Sequence, residues 1–197
     1  GYSNSRHPDA VTWGKNVEDD LARRDFTVNA LALKIDPSQL ESTDHFITVE
    51  ATIIDPFEGQ ADIARKVIRA VGNADERFGE DALRMMRAIR QASELGFMIA
   101  SETIAAIKTN AELLTKISAE RIRDELFKLL SSSFAADGIV LAKNSGILAV
   151  ILPEFEPAFT VQQKSPKRHH IYDVGTHSVE AMKHCPSSDP VVRFATL

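Results

Sequence analysis

The sequence predicts an α+β protein that is mostly α, and three observations predict it. The chain changes character near residue 70, short β-rich pieces lie before that point, and helical periodicity runs after it. With 197 residues and 44% hydrophobic content the chain can bury a core, and its length suits one domain or parts of two. The succession suggests the C-terminal part of a small mixed sheet, then a helical neck and the start of a helical body.

Before residue 70, Phe46-Ile47-Thr48-Val49 and Thr52-Ile53-Ile54 are expected strands, punctuated by turns at Asp36-Pro37-Ser38 and Asp55-Pro56. Beyond it, a helix over Glu80 to Leu95 should stop at Gly96, which suits a left-handed cap. Ser101 is expected to cap a helix running to Ile107. Ser118 should cap the next, where Ile122, Leu126, Leu129 and Leu130 recur at helical spacing. A further helix is expected from about Ala135 to Asn144, ending before Gly146. Prolines at 153, 157 and 166 mark the stretch between Pro153 and Pro166 as a linker.

The run Gly79 to Arg90 carries the chemistry. Three residues advance a helix by about 300°, so Asp81, Arg84, Arg87 and Arg90 would form a slowly turning polar ridge, with Ala82, Met85, Met86, Ile89 and Ala92 covering the rest. A carboxylate accepts from an exocyclic amine and a guanidinium donates to a ring nitrogen. Cytosine and adenine offer that amine and nitrogen side by side, whereas uracil and guanine put a carbonyl and an N–H in their place. The same spacing equally suits i,i+3 ion pairs on a solvated face.

Composition excludes several classes. A formal net charge of −5 excludes a uniformly basic coat, so a nucleic acid would be held by local patches. Candidates are Arg65, Lys66 and Arg69, and later Lys164, Lys167, Arg168, His169 and His170. Cys185 is the only cysteine, which excludes an intramolecular disulfide and a multi-cysteine zinc site and fits a reducing compartment. No apolar run reaches membrane-spanning length and no signal-peptide pattern opens the chain, so a soluble cytoplasmic protein without a membrane partner is expected. Nothing sets the oligomeric state, and no internal repeat or low-complexity segment is visible.

Three ordered segments carry a resemblance: "RRDFTVNALA" from Arg23, "DPFEGQADI" from Asp55 and "EDALRMMRAIR" from Glu80, with "RHPD" from Arg6 preceding them. Together they resemble the bacterial CCA-adding tRNA nucleotidyltransferases and their A-adding, CC-adding and poly(A) relatives. The resemblance covers nearly the whole chain. It implies a nucleotidyltransferase head (1–70), a helical neck with a base-reading helix (71–132) and a helical body leading into an HD-like region (133–197). By matched position, Arg24 and Asp25 would contact the phosphates and ribose of the incoming nucleotide, as guanidinium and carboxylate chemistry allows. Asp25 could instead start a helix as a cap, and Arg23 is read as structural. Asp81 and Arg84 match the amino-acid template for C and A, and Arg87 and Arg90 match nucleotide-binding positions. Asn29 would order its turn through bonds to backbone, and Glu80 would orient the neighbouring arginines. Asp55 and Asp62 read as turn and helix-start residues beside a hinge in which Gly59 supplies backbone freedom. The stretch from Asp36 to Ala51 departs from the family in length and is read as a surface extension.

The resemblance also implies what this chain does not carry. Nucleotidyl transfer in the family uses a carboxylate pair on a strand after a Gly-rich turn. That strand is expected before residue 1, with two Mg2+ ions about 3.5–4 Å apart on it. The chain is thus expected to be part of a larger enzyme, with no catalytic or metal-binding residue of its own and inactive alone. "HHIYDVGTHSVEAMKHC", from His169, resembles the entry to an HD phosphohydrolase-like region, without making His177 a metal ligand. The implied partners are CTP, ATP and the 3′ acceptor end of tRNA. A poly(A) polymerase of the same class, and a helical RNA-binding module without chemistry, are the alternatives.

Overall fold

The structure, a computed structural model, describes residues 16–36, 41–42, 47–48, 51–162 and 171–197. It opens on a short helix, α1 (Val17–Leu21), whose Asn16 side chain accepts the Asp19 N–H at 2.9 Å. Glu18, Asp19 and Asp20 crowd its first turn, where the helix dipole favours negative charge. A single 3-10 turn (Thr27–Asn29) leads into β1 (Ala32–Ile35). Two-residue strands β2 (Glu41–Ser42) and β3 (Ile47–Thr48) pair antiparallel, and β4 (Ala51–Ile54) returns antiparallel to β1, with Ala32 opposite Ile54. The expected strand at 46–49 is therefore found only over Ile47 and Thr48 among the described residues. Most of the expected surface extension, the "RHPD" segment and the basic cluster from Lys164 to His170 lie outside them.

Helix α2 (Gly59–Arg65) starts where Asp55 accepts the N–H groups of Gly59 at 2.7 Å and Gln60 at 3.0 Å, so Asp55 is the helix-start residue expected of it. Gly59 has a different task from the one expected. Its φ is not positive, and a Cβ there would stand 2.3 Å from the Thr27 carbonyl oxygen; the glycine permits close packing of α2 on the 3-10 turn rather than a special backbone angle. Strand β5 (Val67–Ile68) follows and pairs in parallel with β6 (Met98–Ile99), clasping what lies between.

Between those strands stand α3 (Ala74–Glu80) and α4 (Leu83–Leu95), which corrects the sequence expectation of one helix through the whole run. The chain is extended at Asp81 (φ −149°, ψ 103°), and the Asp81 carboxylate accepts the Leu83 N–H at 3.1 Å. A short acidic side chain competes for backbone N–H groups and so starts helices better than it continues them. The polar ridge of α4 therefore begins at Arg84, and Asp81 stands at its head. The other end is as expected: Gly96 takes φ +66° and closes the helix.

The remaining chain is helical. After α5 (Ser101–Asn110) and a 3-10 segment (Ala111–Lys116) come α6 (Ala119–Ser131), α7 (Ala135–Asn144) and α8 (Ile147–Ile151), then α9 (Val174–Lys183) and α10 (Pro190–Thr196). Ser101 is the first residue of α5 rather than its cap, and its hydroxyl donates to Glu102. Ser118 occupies the cap position of α6, but its buried hydroxyl makes no capping bond. The expected linker contains a packed element: a 3-10 turn (Glu156–Thr160) sets Phe155 and Phe159 edge to face at 5.3 Å, and Lys143 lies 4.6 Å over the Phe159 ring. Prolines start tight turns as readily as they mark linkers.

One contiguous core runs from Phe26 and Ile68 through Met85, Ile89, Leu130 and Leu148 to Met182. Side chains of this size contribute about 1.5–3 kcal/mol each when fully buried, so α4, which supplies Leu83, Met85, Met86 and Ile89, is the central strut. A smaller cluster of Leu21, Ala30 and Val71 seals the sheet end. Gly59→Ala should lower stability by about 1–3 kcal/mol, because the added methyl group meets a carbonyl that belongs to a hydrogen-bonded turn. A urea unfolding midpoint equal to wild type would show that the α2 contact is slack.

Candidate functional site

The segment that carries Arg24 and Asp25 is held from below. Phe26 is fully buried, the Val71 N–H donates to the Asp25 carbonyl at 3.1 Å, and the Thr27 N–H donates to the Arg69 carbonyl at 2.9 Å. Pinned in this way, the Asp25 carboxylate gathers four donors. Oδ1 accepts the Phe26 N–H at 2.9 Å and Asn29 Nδ2 at 3.0 Å; Oδ2 accepts Arg87 Nε at 2.9 Å and Nη2 at 2.6 Å. Burial alone would push the Asp25 pKa up. The bonds from Asn29 and Arg87, with the Arg87 charge, outweigh it and hold the carboxyl below the ordinary carboxylate range. Asp25 is thus an anchor for α4 and not a helix cap.

Asn29 differs from expectation in its partners. Its amide bridges two side chains, Asp25 and Gln91 (3.1 Å), rather than backbone. Glu80 does sit between arginines: Oε1 pairs with Arg77 at 2.6 Å and Oε2 with Arg84 at 2.7 Å. Arg84 also donates to the carbonyls of Arg77 and Arg23, both at 3.2 Å. The Asp81 carboxylate, besides capping α4, accepts Arg121 Nη2 from α6 at 2.7 Å. Arg24 rests on Asp20 through Nε and Nη2 (2.8 Å for the shorter), and Arg23 meets the other oxygen of the same carboxylate at 2.8 Å.

These side chains surround one open cleft of about 690 Å3. Its walls are Arg23, Arg24, Asp25, Asn29, Asp81, Leu83, Arg84, Arg87, Gln91 and Arg121. Five arginines face two aspartates there, so a chain with a net charge of −5 presents a locally cationic hollow. The cleft has the size and charge for a nucleoside triphosphate. Sequence reasoning missed Arg121 and Gln91. Gln91 follows Arg87 by one turn on the same ridge and could have been found by extending it. Arg121 reaches Asp81 across 40 residues of sequence, and no local pattern signals such a contact.

Comparison with known proteins bears on what this cleft is. Residues 1–69 match the poly(A) polymerase head domain, and residues 96–159 match the probable RNA and SrmB-binding site of polymerase A. The CCA-adding enzyme of Geobacillus thermodenitrificans is 47% identical over 152 residues, which cover 77% of this chain and 34% of that protein. That of Lactiplantibacillus plantarum is 45% identical over 163 residues, 83% of this chain and 35% of that protein. Among solved structures, the Bacillus stearothermophilus CCA-adding enzyme in complex with CTP superposes with a TM-score of 0.65 at 46% identity, over 75% of this chain and 34% of that one. The Thermotoga maritima CCA-adding enzyme complexed with tRNA gives 0.61 at 26% identity, over 84% of this chain and 35% of that one. This chain belongs to the CCA-adding enzyme and poly(A) polymerase family.

It spans about a third of the length of the curated relatives it matches. Within the family framework, two predicted residues fall elsewhere than expected. Arg90 does not line the cleft. It turns away from the cleft, where Nε pairs with the buried Glu125 at 2.7 Å and Nη1 with Glu94 at 2.6 Å. Three residues rotate the helix short of a full turn, so by Arg90 the ridge has swung from the cleft to α6. Asp62 is no simple helix-start residue. It is fully buried and accepts from Thr27 Oγ1 at 2.7 Å, Arg65 at 3.1 Å and Arg69 at 3.1 Å. Burial raises its pKa, but these bonds pull it below the ordinary carboxylate value.

Arg90→Met should cost about 3 kcal/mol of folding stability in urea, the lower end for a broken buried pair, because Lys128 still serves Glu125 at 3.0 Å. A loss under 1 kcal/mol would mean Glu125 is not held by Arg90. Asp25, Asp62 and Glu125 all have folded pKa values below their unfolded ones, so near pH 4 the unfolded chain binds more protons and stability rises with pH. The thermal midpoint should stay level from about pH 7 to 5 and fall below about pH 4, less steeply in Asp25→Asn. An equally steep fall in that variant would remove Asp25 from the account.

Proposed function

We propose that this chain forms the nucleotide-reading part of a cytoplasmic tRNA nucleotidyltransferase that adds C and A to the 3′ acceptor end of tRNA from CTP and ATP. The observation that carries the reading is the meeting, in one cleft, of Asp81 and Arg84 from the head of α4 with Arg24, Asp25 and Arg87. Asp81 retains lone pairs beyond its bonds to Leu83 and Arg121, and Arg84 retains its Nε proton and one on Nη2 beyond its bonds to Glu80 and the two carbonyls. In the proposed complex the carboxylate accepts the exocyclic amine and the guanidinium donates to the adjacent ring nitrogen of cytosine or adenine. Arg24 takes phosphate oxygens; Asp25, whose four acceptor sites are already filled by Phe26, Asn29 and Arg87, holds the wall in place, and a ribose hydroxyl would reach it only by displacing Asn29 from Oδ1. Glu80 orients Arg84.

The head, neck and body division at residues 70 and 132 belongs to the same proposal, as does a divalent cation, Mg2+, for the transfer step. Among the described residues no group of three or more His, Cys, Asp or Glu is placed to hold a metal ion. The part given to the cleft side chains in this proposal is to bind and orient the nucleotide. No helix among the described residues is long and apolar enough to cross a membrane. A poly(A) polymerase of the same class would share the cleft but needs only ATP. The likeness to an enzyme in complex with CTP favours the reading that uses both nucleotides.

Titration of the 197-residue chain with each nucleoside triphosphate tests this. A bidentate polar reading of one base edge is worth about 1–3 kcal/mol, so CTP and ATP should bind about 5- to 150-fold more tightly than UTP and GTP. Asp81→Ala and Arg84→Ala should flatten that preference more than they weaken binding overall. Equal affinity for all four nucleotides in the wild-type chain would sink the template reading, and preference for ATP alone would favour the poly(A) alternative.

A further inference from the structure

Arg77 lies outside the cleft walls, yet it is bonded to both halves of what surrounds them. Its Nη1 donates to the Ala22 carbonyl at 3.2 Å, across 55 residues of sequence, and its Nη2 pairs with Glu80 Oε1 at 2.6 Å. The other oxygen of Glu80 holds Arg84 Nη1 at 2.7 Å, and Arg84 Nη2 donates to the Arg23 carbonyl at 3.2 Å. Two guanidinium groups bridged by one carboxylate therefore grip two consecutive peptide carbonyls. Those carbonyls immediately precede Arg24. The group is largely shielded from water, with Arg77 16%, Arg84 17% and Glu80 26% exposed.

We propose that Arg77 is a positioning residue that sets base selectivity without touching the nucleotide, an inference that rests on the reading of Asp81 and Arg84 given above. Glu80 now divides its two oxygens between two arginines. Without Arg77, both would be free for Arg84, and carboxylates take a guanidinium preferentially as a two-pronged fork. Arg84 would then turn more of its donors to Glu80 and fewer to the cleft. At the same time the Ala22 carbonyl would lose its donor, and the turn that carries Arg23 and Arg24 would keep its bond to α4 at the Arg23 carbonyl but lose its bond to α3. With Asp25 and Phe26 still anchored behind it, the phosphate-binding end would be held less tightly at a set distance from the base-reading end. Selectivity needs that fixed distance, because a base presenting the wrong edge must not be able to shift until some other bond forms.

Arg77→Met keeps most of the aliphatic stem and removes the fork; Arg77→Lys keeps the charge but offers a point contact where Arg reaches two acceptors at once. The affinity ratio of CTP over UTP, measured by calorimetry on the 197-residue chain, is expected to fall about tenfold in Arg77→Met and about threefold in Arg77→Lys. Most of the change should lie in weaker CTP binding, with UTP affinity nearly unmoved. A wild-type ratio in the lysine variant, folded as judged by its thermal midpoint, overturns the proposal even if the methionine variant does not fold. So does a proportional loss of CTP and UTP affinity, which is what general loosening would produce. The two ideas fail separately: if Asp81→Ala flattens base preference while both Arg77 variants keep it, the template reading stands and this one falls. A wild-type chain without preference removes both.

Discussion

The bond between the Asp25 carboxylate and the Arg87 guanidinium is the constraint on which the cleft depends. It joins residues 62 apart in sequence, one on an irregular turn and the other on the most deeply buried helix. A turn cannot fix its own side chains, since its backbone has no ladder to lean on. Here Phe26 drives the turn into the core, and Asp25, adjacent to it and 9% exposed, must then find donors or stay protonated. Arg87, Asn29 and the Phe26 N–H supply them. The register between the turn and α4 follows, because only one rotation of α4 points Arg87 at Asp25 while Met85 and Ile89 stay in the core.

That rotation accounts for the division of labour along the ridge. Arg84 and Arg87 face the cleft, and Arg90 has already rotated to Glu125 on α6. The pairings also settle how so many arginines gather in a hollow without driving it apart. Asp20 serves Arg23 and Arg24, Glu80 serves Arg77 and Arg84, Asp25 serves Arg87, and Asp81 serves Arg121. The Glu80, Asp25 and Asp81 pairs are partly shielded while the Asp20 pairs are open to solvent, and the donors left over are what the cleft presents. A triphosphate would meet cations already oriented by anions behind them, which lowers the ordering cost of binding.

How much of this was legible in the sequence depended on whether the deciding contact was local. The stop of α4 at Gly96 and the span of α7 from Ala135 to Asn144 are local, set by periodicity and cap chemistry, and both stand as expected. The break at Asp81 was hidden because the three-residue spacing of charges continues straight across it. Only the competition of a carboxylate for the Leu83 N–H ends the pattern. Gly59 was readable as important but not for the right reason. A backbone oxygen from Thr27, brought close by the fold, makes the glycine necessary, and nothing near position 59 in the sequence encodes that oxygen. Arg90 shows the same limit on the functional side: its spacing matched the ridge, and its partner lay 35 residues away.

The two ion pairs leave α4 from neighbouring strips about 60° apart, and this gives α4 two distinct mechanical roles. On one strip the Arg90–Glu125 pair ties it to α6; on the next the Arg87–Asp25 pair ties it to the turn before β1. α6 also sends Arg121 back to Asp81 at the head of α4. Asp81 is therefore tied to α6 through Arg121, whereas Arg84 is tied to α3 through Glu80 and the Arg77 carbonyl and to the turn before β1 through the Arg23 carbonyl. Relative motion of α6 and that turn would change the separation of the acceptor and donor at the head of α4. In the reading proposed above, such a pair would respond to the posture of α6 and of the turn as well as to the base, because its two members are fastened to different sets of neighbours.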